Sequence, residues 1–164
     1  MASPKEHFTY DQIAAALKIE GNCLVWLEKR GNRSAGAIAG TVAANGYRTV
    51  AFRGRVLQQH RVVWLLTYGS WPERSLDHIN RDKTDNRASN LRLATASQNE
   101  ANKASIGRVN LKGVSISNRG QYQVKCRQKF VGVFSTAEEA GKAYDQEAKK
   151  SYGEFACLNF PDQS

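Results

Sequence analysis

Apolar and polar residues alternate with a two-residue period in the last third of the chain. The run QYQVKCR at residues 121–127 alternates in this way, and residues 114–117 do the same. Turn residues separate these runs from each other and from a third run, KFVGVFS. Ser135 and Glu138 then have capping-box spacing ahead of an alanine-rich stripe. The pattern predicts a three-stranded antiparallel sheet with one helix on its apolar face and a cationic face left exposed.

Shorter elements are predicted near the start of the chain. Thr9 and Gln12 have capping-box spacing before a group of apolar residues, which predicts a helix that Gly21 ends. The run CLVWLE from Cys23 to Glu28 predicts a strand. The basic loop at residues 29–35 allows two interpretations, contact with a nucleic acid or simple solvation.

A hairpin and a buried helix are predicted next. The runs YRTVAF and RVLQQH flank a turn at Arg53–Gly54. The mostly apolar run HRVVWLLTYG follows, and Gly69 and Pro72 end the helix that it predicts. His60 lies on this helix, either as a packed structural histidine or as a residue that contacts DNA or the active site.

The segment from Ser75 to Lys103 has a different pattern. Apolar anchors flank a long polar loop, and the order predicted is strand, loop, strand and helix. Capping-box spacing between Ser97 and Glu100 places Asn99 in the first turn of that helix. A short connector, SIGRVN at residues 105–110, is the predicted boundary between two domains.

Composition narrows the class of partner. The 24 Lys and Arg residues against 15 Asp and Glu give a formal charge of +9, which fits a phosphate-rich partner or a merely soluble basic protein. Three widely spaced cysteines indicate reduced thiols, and no apolar stretch is long enough for a membrane span or an export signal. We therefore expect a cytoplasmic protein that is not secreted.

Four polar residues form a specific constellation: Asp77, His78, Asn90 and Asn99. Their segment, LDHINRDKTDNRASNLRLATASQNEANK, resembles the core of the HNH homing endonucleases, many of them phage-encoded. The preceding helix resembles the same family, and the likeness covers about residues 47–103. It implies a ββα-metal (His-Me finger) nuclease core, in which Asp77 and Asn99 bind one divalent metal ion. His78 corresponds to the general base, and Asn90 to the residue that pins the loop and orients that base.

The residue types suit this chemistry. Hydrolysis of a phosphodiester needs a base near neutral pH, and the ordinary pKa of an imidazole, about 6.5, meets that need. One carboxylate and one amide are hard oxygen ligands, which favours Mg²⁺ or Mn²⁺ over Zn²⁺. Asn80 and Asn86 are interpreted as turn formers. Asp82 and Asp85 are interpreted as parts of a solvated loop, with a second metal site as the alternative.

The C-terminal segment resembles the Apetala-type, or ethylene-response-factor-type, DNA-binding domains. The likeness runs from about Lys112 to Pro161 and rests on KGV, on the run from Gly132 to Asp145 and on the closing LNFP. It implies that the sheet enters the major groove. The alternation of polar and apolar residues independently predicts the same exposed face. The alternative to DNA binding is that this face is simply solvated. The predicted DNA-binding residues are Ser115, Ser117, Arg119, Gln121, Gln123, Lys125, Arg127 and Lys129.

The sequence therefore predicts an α+β protein with a nuclease domain at residues 1–104, whose ββα core occupies 75–104, and a DNA-binding domain at 105–164. The expected activity is metal-dependent cleavage of double-stranded DNA to 5′-phosphate and 3′-hydroxyl ends. A DNA-binding regulator with a vestigial core is the main alternative, and an RNA-cutting enzyme is another. One site per chain predicts a monomer or weak dimer, with no membrane or small-molecule cofactor.

Overall fold

A computed structural model describes residues 8–105 and 109–161 of the 164-residue chain. The chain divides into two compact units, Met1–Thr95 and Ala96–Ser164. Residues 106–108 of the predicted connector and His7 lie outside the described residues. The assignment of cleavage to one domain and DNA binding to the other stays a prediction.

The α-helices and strands of the first unit are α1 Tyr10–Ala14, β1 Leu17–Glu20, β2 Cys23–Trp26, β3 Thr41–Val42, β4 Arg48–Phe52, β5 Arg55–Gln58, α2 Gln59–Tyr68, β6 Ser75–His78 and β7 Leu91–Ala94. Among its described residues, the strands form three small antiparallel sheets: β1 with β2, β3 with β4 and β5, and β6 with β7.

The first predicted helix is shorter than expected. Its capping box at Thr9 and Gln12 is confirmed, but α1 ends at Ala14 and β1 begins at Leu17. Gly21 does not end the helix; it has φ +58° in the tight turn between β1 and β2. The apolar residues after Ala14 fitted a helical period, but Leu17 packs in the core from a strand.

The hairpin of β4 and β5 and the helix α2 are confirmed. Phe52 faces Arg55 across the predicted turn, and Gly69 ends α2 in the left-handed conformation with φ +77°. Val62, Val63 and Leu65 of α2 are fully buried and form the core of the first unit with side chains from β1, β2 and β4. This core supports the β6–β7 hairpin through Leu91.

The second unit contains α3 Ala96–Asn102, β8 Val114–Ile116, β9 Tyr122–Cys126, β10 Lys129–Phe134 and α4 Ala137–Tyr152. The three strands form one antiparallel sheet with β9 in the centre, as predicted. Its core joins Val114, Val124 and Cys126 of the sheet to Ala140 and Tyr144 of α4. A helix rich in alanine lies close to the sheet because its side chains are short.

Two predicted helix starts are wrong by one or two residues. Helix α4 is capped by Thr136: its hydroxyl accepts a hydrogen bond from the Glu139 amide, and its own amide donates one to the Glu139 carboxylate. Ser135 and Glu138 are therefore not the capping pair. Helix α3 begins at Ala96, which places Ser97 inside the helix and overturns its predicted capping role. Adjacent hydroxyl and acidic residues offer competing registers, and packing decides between them.

The protein is thus a mixed α+β molecule with several small sheets. The order β6, loop, β7 and α3 agrees with the predicted strand, loop, strand and helix. Among the described residues, no helix is both long and apolar enough to cross a membrane.

Candidate functional site

Strand β6 carries two adjacent residues of the predicted constellation. Asp77 faces Arg92 and His78 faces Leu91 across the β6–β7 pair. Both Asp77 and His78 are buried. Because neighbouring residues of a strand point to opposite faces, the two side chains leave β6 in different directions.

Asp77 forms an ion pair with Arg92 of β7. The Nε and terminal nitrogen atoms of Arg92 each lie 2.9 Å from Asp77 Oδ2. Both side chains are about nine-tenths buried, so the cation offsets a carboxylate charge that would be costly to bury alone. The pair also fixes the direction of the carboxylate.

The His78 ring is hydrogen-bonded to Asn86, a residue that sequence reasoning interpreted differently. Nε2 of His78 lies 3.0 Å from Oδ1 of Asn86 in a buried contact. The Asn86 side chain does not form a turn; it is only 1% exposed and reaches back to the imidazole. The interpretation of Asn86 as a turn former was therefore wrong. Its position in a polar loop gave no sign of its burial.

His60 is packed against the predicted base. The ring centroids of His60 and His78 are 5.2 Å apart in an edge-to-face arrangement, and Tyr47 contacts both rings. Burial, with smaller contributions from the neighbouring His78 and Arg61, lowers the pKa of His60 to about 3. Its Nδ1 atom is buried without a hydrogen-bond partner among the described residues. His60 is therefore a neutral, packed residue beside His78.

Asn90 holds together the loop between β6 and β7. Its Oδ1 accepts a hydrogen bond from the Asn80 amide at 3.0 Å, and its Nδ2 donates to the Asp85 carbonyl at 2.8 Å and to Asn80 Oδ1 at 2.9 Å. The Asn90 carbonyl accepts from the amide of Ile79, directly after His78. The side chain that bonds the His78 ring, by contrast, is that of Asn86.

The acidic residues of the loop hold its shape. Asp82 accepts hydrogen bonds from the amide and hydroxyl of Thr84, which lower its pKa. Asp85 accepts two hydrogen bonds from the Arg87 side chain and one from the Arg87 amide; the side-chain bonds are the main reason that its pKa is lowered to about 2. In residues 8–105 and 109–161, no three His, Cys, Asp or Glu side chains form a group that could hold a metal ion. Asp82 is exposed, as predicted for a solvated loop, whereas Asp85 is buried and paired with Arg87, so the interpretation of Asp85 as solvated was wrong.

Asn99 lies on α3, in the second unit. Its Oδ1 atom is buried and has no hydrogen-bond partner in the described part of the chain. A buried amide oxygen without a partner is unusual, and it suits a cation ligand. The donor set of the Asp77 carboxylate and the Asn99 amide contains only hard oxygen atoms, so these residues fit Mg²⁺ or Mn²⁺. Their convergence on one ion stays a prediction.

The sheet of the second unit has the exposed polar face that the alternation predicted. Ser115 faces Gln123, and Gln123 faces Val133; Lys125 faces Phe130. The other predicted positions divide between the turns and one strand end. Ser117, Arg119 and Gln121 belong to the turn from β8 to β9, Arg127 belongs to the turn from β9 to β10, and Lys129 begins β10.

Lys129 lies on the opposite side of the sheet from Ser115, Gln123 and Lys125. It faces Cys126 in the register, and its ammonium group lies 2.9 Å from Glu147 of α4. The sequence alternation predicts Lys129 on the exposed cationic face, because this residue continues the odd-numbered series of polar positions. The tight turn at Arg127 and Gln128, both with positive φ, reverses that parity.

Two apolar residues of the exposed face were missed. Phe130 and Val133 are 54% and 44% exposed and lie beside Lys125 and Gln123. An apolar side chain on such a face can contact a thymine methyl group. The sequence signal for them was the six-residue strand after the turn, but a bulge between Phe130 and Gly132 shifts its alternation.

Comparisons with known proteins bear on residues around this site. Residues 58–101 match the family model described as HNH endonuclease. A stretch of 109 residues, 63% of the chain, is 34% identical to an uncharacterized HNH endonuclease of Acanthamoeba polyphaga mimivirus. Another match, over 47 residues or 29% of the chain, is 43% identical to dehydration-responsive element-binding protein 2E of Arabidopsis thaliana.

These relatives are longer than the matched segments. The chain spans 57% of the viral relative and 19% of the plant relative. No solved structure matches the chain significantly. The family match over α2, β6, the loop and β7, together with the name of the viral relative, supports a nuclease.

Proposed function

We propose that the chain is a divalent-metal-dependent endonuclease of the homing type that hydrolyses double-stranded DNA to 5′-phosphate and 3′-hydroxyl ends. The observation that supports this most is the arrangement on β6. A buried histidine held by Asn86 stands next to a buried aspartate paired with Arg92, inside the segment that matches the HNH endonuclease family.

His78 acts as the general base in this proposal. A neutral imidazole accepts the proton of the attacking water, and a ring held in one orientation keeps its lone pair aimed at a single position. The hydrogen bond to Asn86 supplies that orientation. Asn90 contributes by fixing the loop that carries Asn86 and by holding the backbone directly after His78.

Asp77 and Asn99 would hold one ion of Mg²⁺ or Mn²⁺. When bound, such an ion stabilises negative charge that develops on the phosphate and on the leaving 3′ oxygen. Arg92 keeps the Asp77 carboxylate in one direction through its own contacts to Oδ2. Such a sparse protein ligand set suits an ion that keeps several waters.

The distribution of cations supports DNA as the partner. In the first unit, Arg30 stacks on the rings of Trp26 and Phe52 at 4.8 and 5.3 Å, and Arg53 stacks on Phe52 at 5.4 Å. In the second unit, Lys125 and the turn residues Arg119 and Arg127 are exposed on or beside the predicted binding face. Such groups neutralise phosphates and make binding depend on salt.

The second unit, in this proposal, binds DNA through its sheet, as Apetala-type domains do. The partial match to a plant protein named for element binding supports this role. Gln123 presents an amide that suits adenine, and Lys125 a cation that suits guanine or phosphate. With one site per chain, a monomer nicks one strand, and double-strand cleavage requires a weak dimer or two successive events.

Cleavage of supercoiled plasmid tests the proposal. Wild-type protein and the His78→Ala variant are incubated with Mg²⁺, Mn²⁺ or EDTA, and open-circular and linear products are separated on a gel. We expect wild-type cleavage only with metal, and a loss of at least about 100-fold in the variant. Products with 5′-phosphate ends are ligated directly, which checks the end chemistry.

Two results would overturn the proposal. Binding without any cleavage, on plasmid and on host genomic DNA, would leave a DNA-binding regulator with a vestigial core. Cleavage of RNA in preference to DNA would assign the same site to a different substrate.

A further inference from the structure

Three buried polar side chains of the first unit form a continuous hydrogen-bonded series that ends at His78. Gln59 begins α2, Asn86 lies in the loop between β6 and β7, and His78 ends β6. Their exposed fractions are 0%, 1% and 4%. The bonds are 2.8 Å from Gln59 Nε2 to the Ala39 carbonyl, 2.9 Å from Asn86 Nδ2 to Gln59 Oε1, and 3.0 Å between Asn86 Oδ1 and His78 Nε2.

The direction of this series is set at its far end. The Ala39 carbonyl can only accept a hydrogen bond, so the Gln59 group facing it is the NH₂ group. The Gln59 oxygen therefore faces Asn86, and Asn86 must present its own NH₂ group there. This leaves the Asn86 oxygen facing the imidazole, so the ring nitrogen opposite it carries a hydrogen. Reversing either amide would place two acceptors or two donors against each other.

We propose that Gln59 and Asn86 are positioning residues for His78 that hold its neutral ring in the tautomer with the hydrogen on Nε2 and the lone pair on Nδ1. The catalytic consequence rests on the function proposed above, in which that lone pair accepts the proton of the attacking water. Neither residue contacts substrate in this account. They act only through the orientation and tautomer of the ring.

Asn86 is fixed on its backbone side as well. Its amide nitrogen donates to Asn22 Oδ1 at 2.6 Å, so the loop is held at the residue that bonds the imidazole. The two side-chain bonds of Asn86 connect it to residues 8 and 27 positions away in sequence. A residue needed only to close the loop would be satisfied locally, as Asn90 is by the loop carbonyl of Asp85.

The two amides have separable effects. Replacing Asn86 with leucine removes the acceptor opposite Nε2 and leaves a side chain of similar size. Replacing Gln59 with leucine keeps Asn86 but removes the group that fixes its direction. Asn86 can then turn over and present its NH₂ group to the ring, which favours the other tautomer. The Gln59→Leu variant should therefore contain a mixture of tautomers.

The test is a nitrogen NMR measurement on the full-length protein, without DNA or metal. The ring nitrogens are labelled with ¹⁵N, and proton–nitrogen correlations at alkaline pH distinguish a protonated nitrogen from one with a lone pair. The chain contains three histidines, so the His78 signals are those missing in His78→Ala. Val62→Ala is the matched control, because Val62 is a fully buried residue of α2 outside the series.

The expected wild-type spectrum shows hydrogen on Nε2 of His78, and Val62→Ala leaves it unchanged. Gln59→Leu should add signals of the second tautomer, and Asn86→Leu should do so more strongly. Hydrogen on Nδ1 in the wild type, or an unchanged His78 spectrum in folded Gln59→Leu, would overturn the proposal. If Asn86→Leu does not fold, the wild-type and Gln59→Leu spectra still decide it.

Kinetics then separates this proposal from the proposed function. In an active enzyme, Asn86→Leu should lower kcat about 10- to 100-fold with little change in KM, and Gln59→Leu should have a smaller effect. A wild-type chain that cleaves no DNA would refute the nuclease proposal, while the spectra would still decide the tautomer. A large rise in KM with unchanged kcat would contradict a positioning role.

Discussion

The two units use the same residue types in opposite ways. The loop between β6 and β7 buries Asn86 and Asn90, whose side chains are hydrogen-bonded within the protein, whereas the sheet of the second unit carries the half-buried Gln123 and the exposed Lys125 on its outer face. A buried amide is stable only when its bonds are satisfied, so the loop specifies one arrangement. A partly exposed amide keeps hydrogen-bonding capacity for a partner. In the proposed function, a fixed catalytic loop and an adaptable binding face therefore place similar amide side chains in different environments.

The largest effect on stability should come from breaking the buried network at Asn90. Asn90→Ala removes three side-chain hydrogen bonds and leaves the Asn80 amide and the Asp85 carbonyl without partners. We expect the free energy of unfolding to fall by about 3 kcal/mol. Denaturant titration measures this, and the exposed turn variant Asn118→Ala should stay within about 0.5 kcal/mol of wild type. Equal losses in the two variants would contradict the contrast between buried loop and exposed sheet.

Substitutions on the exposed face of the second unit's sheet should weaken DNA binding and leave stability almost unchanged. Lys125→Ala with Arg127→Ala removes two cations from an exposed surface, so stability should change little while DNA binding weakens. Two lost phosphate contacts lower the salt slope by about 1.8 and the affinity about 60-fold at ~0.1 M salt. Gel-shift titrations at several salt concentrations measure both, with the double variant Lys149→Ala and Lys150→Ala on α4 as a charge-matched control. An unchanged slope would show that this face does not contact phosphates.

A third effect follows from the buried His60. Its pKa is about 3 in the folded protein, below the ordinary value of about 6.5 expected when the chain unfolds. Between these pH values the unfolded chain binds a proton that the folded protein does not. Protonation of His60 in the unfolded chain therefore does not reduce the free energy of unfolding above pH 6.5. Below that pH, it lowers the free energy of unfolding by about 1.4 kcal/mol per pH unit as the pH decreases toward 3.

Unfolding titrations of wild type and His60→Leu between pH 7 and about 4 test this linkage. Carboxyl groups contribute to the pH dependence of both proteins, so the informative quantity is the difference between the two slopes. The variant should lose less stability on acidification. Parallel slopes would mean that His60 titrates in the folded state close to its ordinary pKa.

The smallest expected loss of stability comes from removing the N-cap of α4, and it distinguishes the observed cap, Thr136, from the predicted cap, Ser135. Thr136→Ala removes the side-chain bond to the Glu139 amide and should cost about 1 kcal/mol. Ser135→Ala should cost less than about 0.5 kcal/mol, because Ser135 lies outside the helix. Thermal unfolding of both variants measures the difference. A larger cost at Ser135 would restore the capping register that the sequence predicted.

Local sequence patterns predicted the second unit well because its strands and the helix α4 follow one another closely along the chain. Alternation gave the three strands, and the alanine stripe gave α4. Errors arose where two registers competed, as at Ser135 and Thr136, or where a turn reversed the parity, as at Lys129. Sequence alone does not fix where such an element begins or which face a residue takes. Packing in the folded protein decides both.

The first unit was harder to predict because its contacts are distant in sequence. The order of elements around Asp77 and His78 was predicted, since apolar anchors mark β6 and β7. The bonds among Gln59, Asn86 and His78 were not, because a glutamine at a helix start and an asparagine in a polar loop are usually solvated. Only the folded chain shows that both side chains are buried.

The proposal assigns cleavage to the first unit and DNA binding to the second. The most direct test measures how the His78→Ala variant binds and cleaves one DNA fragment. The folded variant, checked by circular dichroism, is assayed by gel shift in EDTA and by product formation with Mg²⁺. We predict wild-type affinity together with a loss of cleavage of at least about 100-fold. Cleavage at the wild-type rate, or loss of binding by the folded variant, would contradict the account.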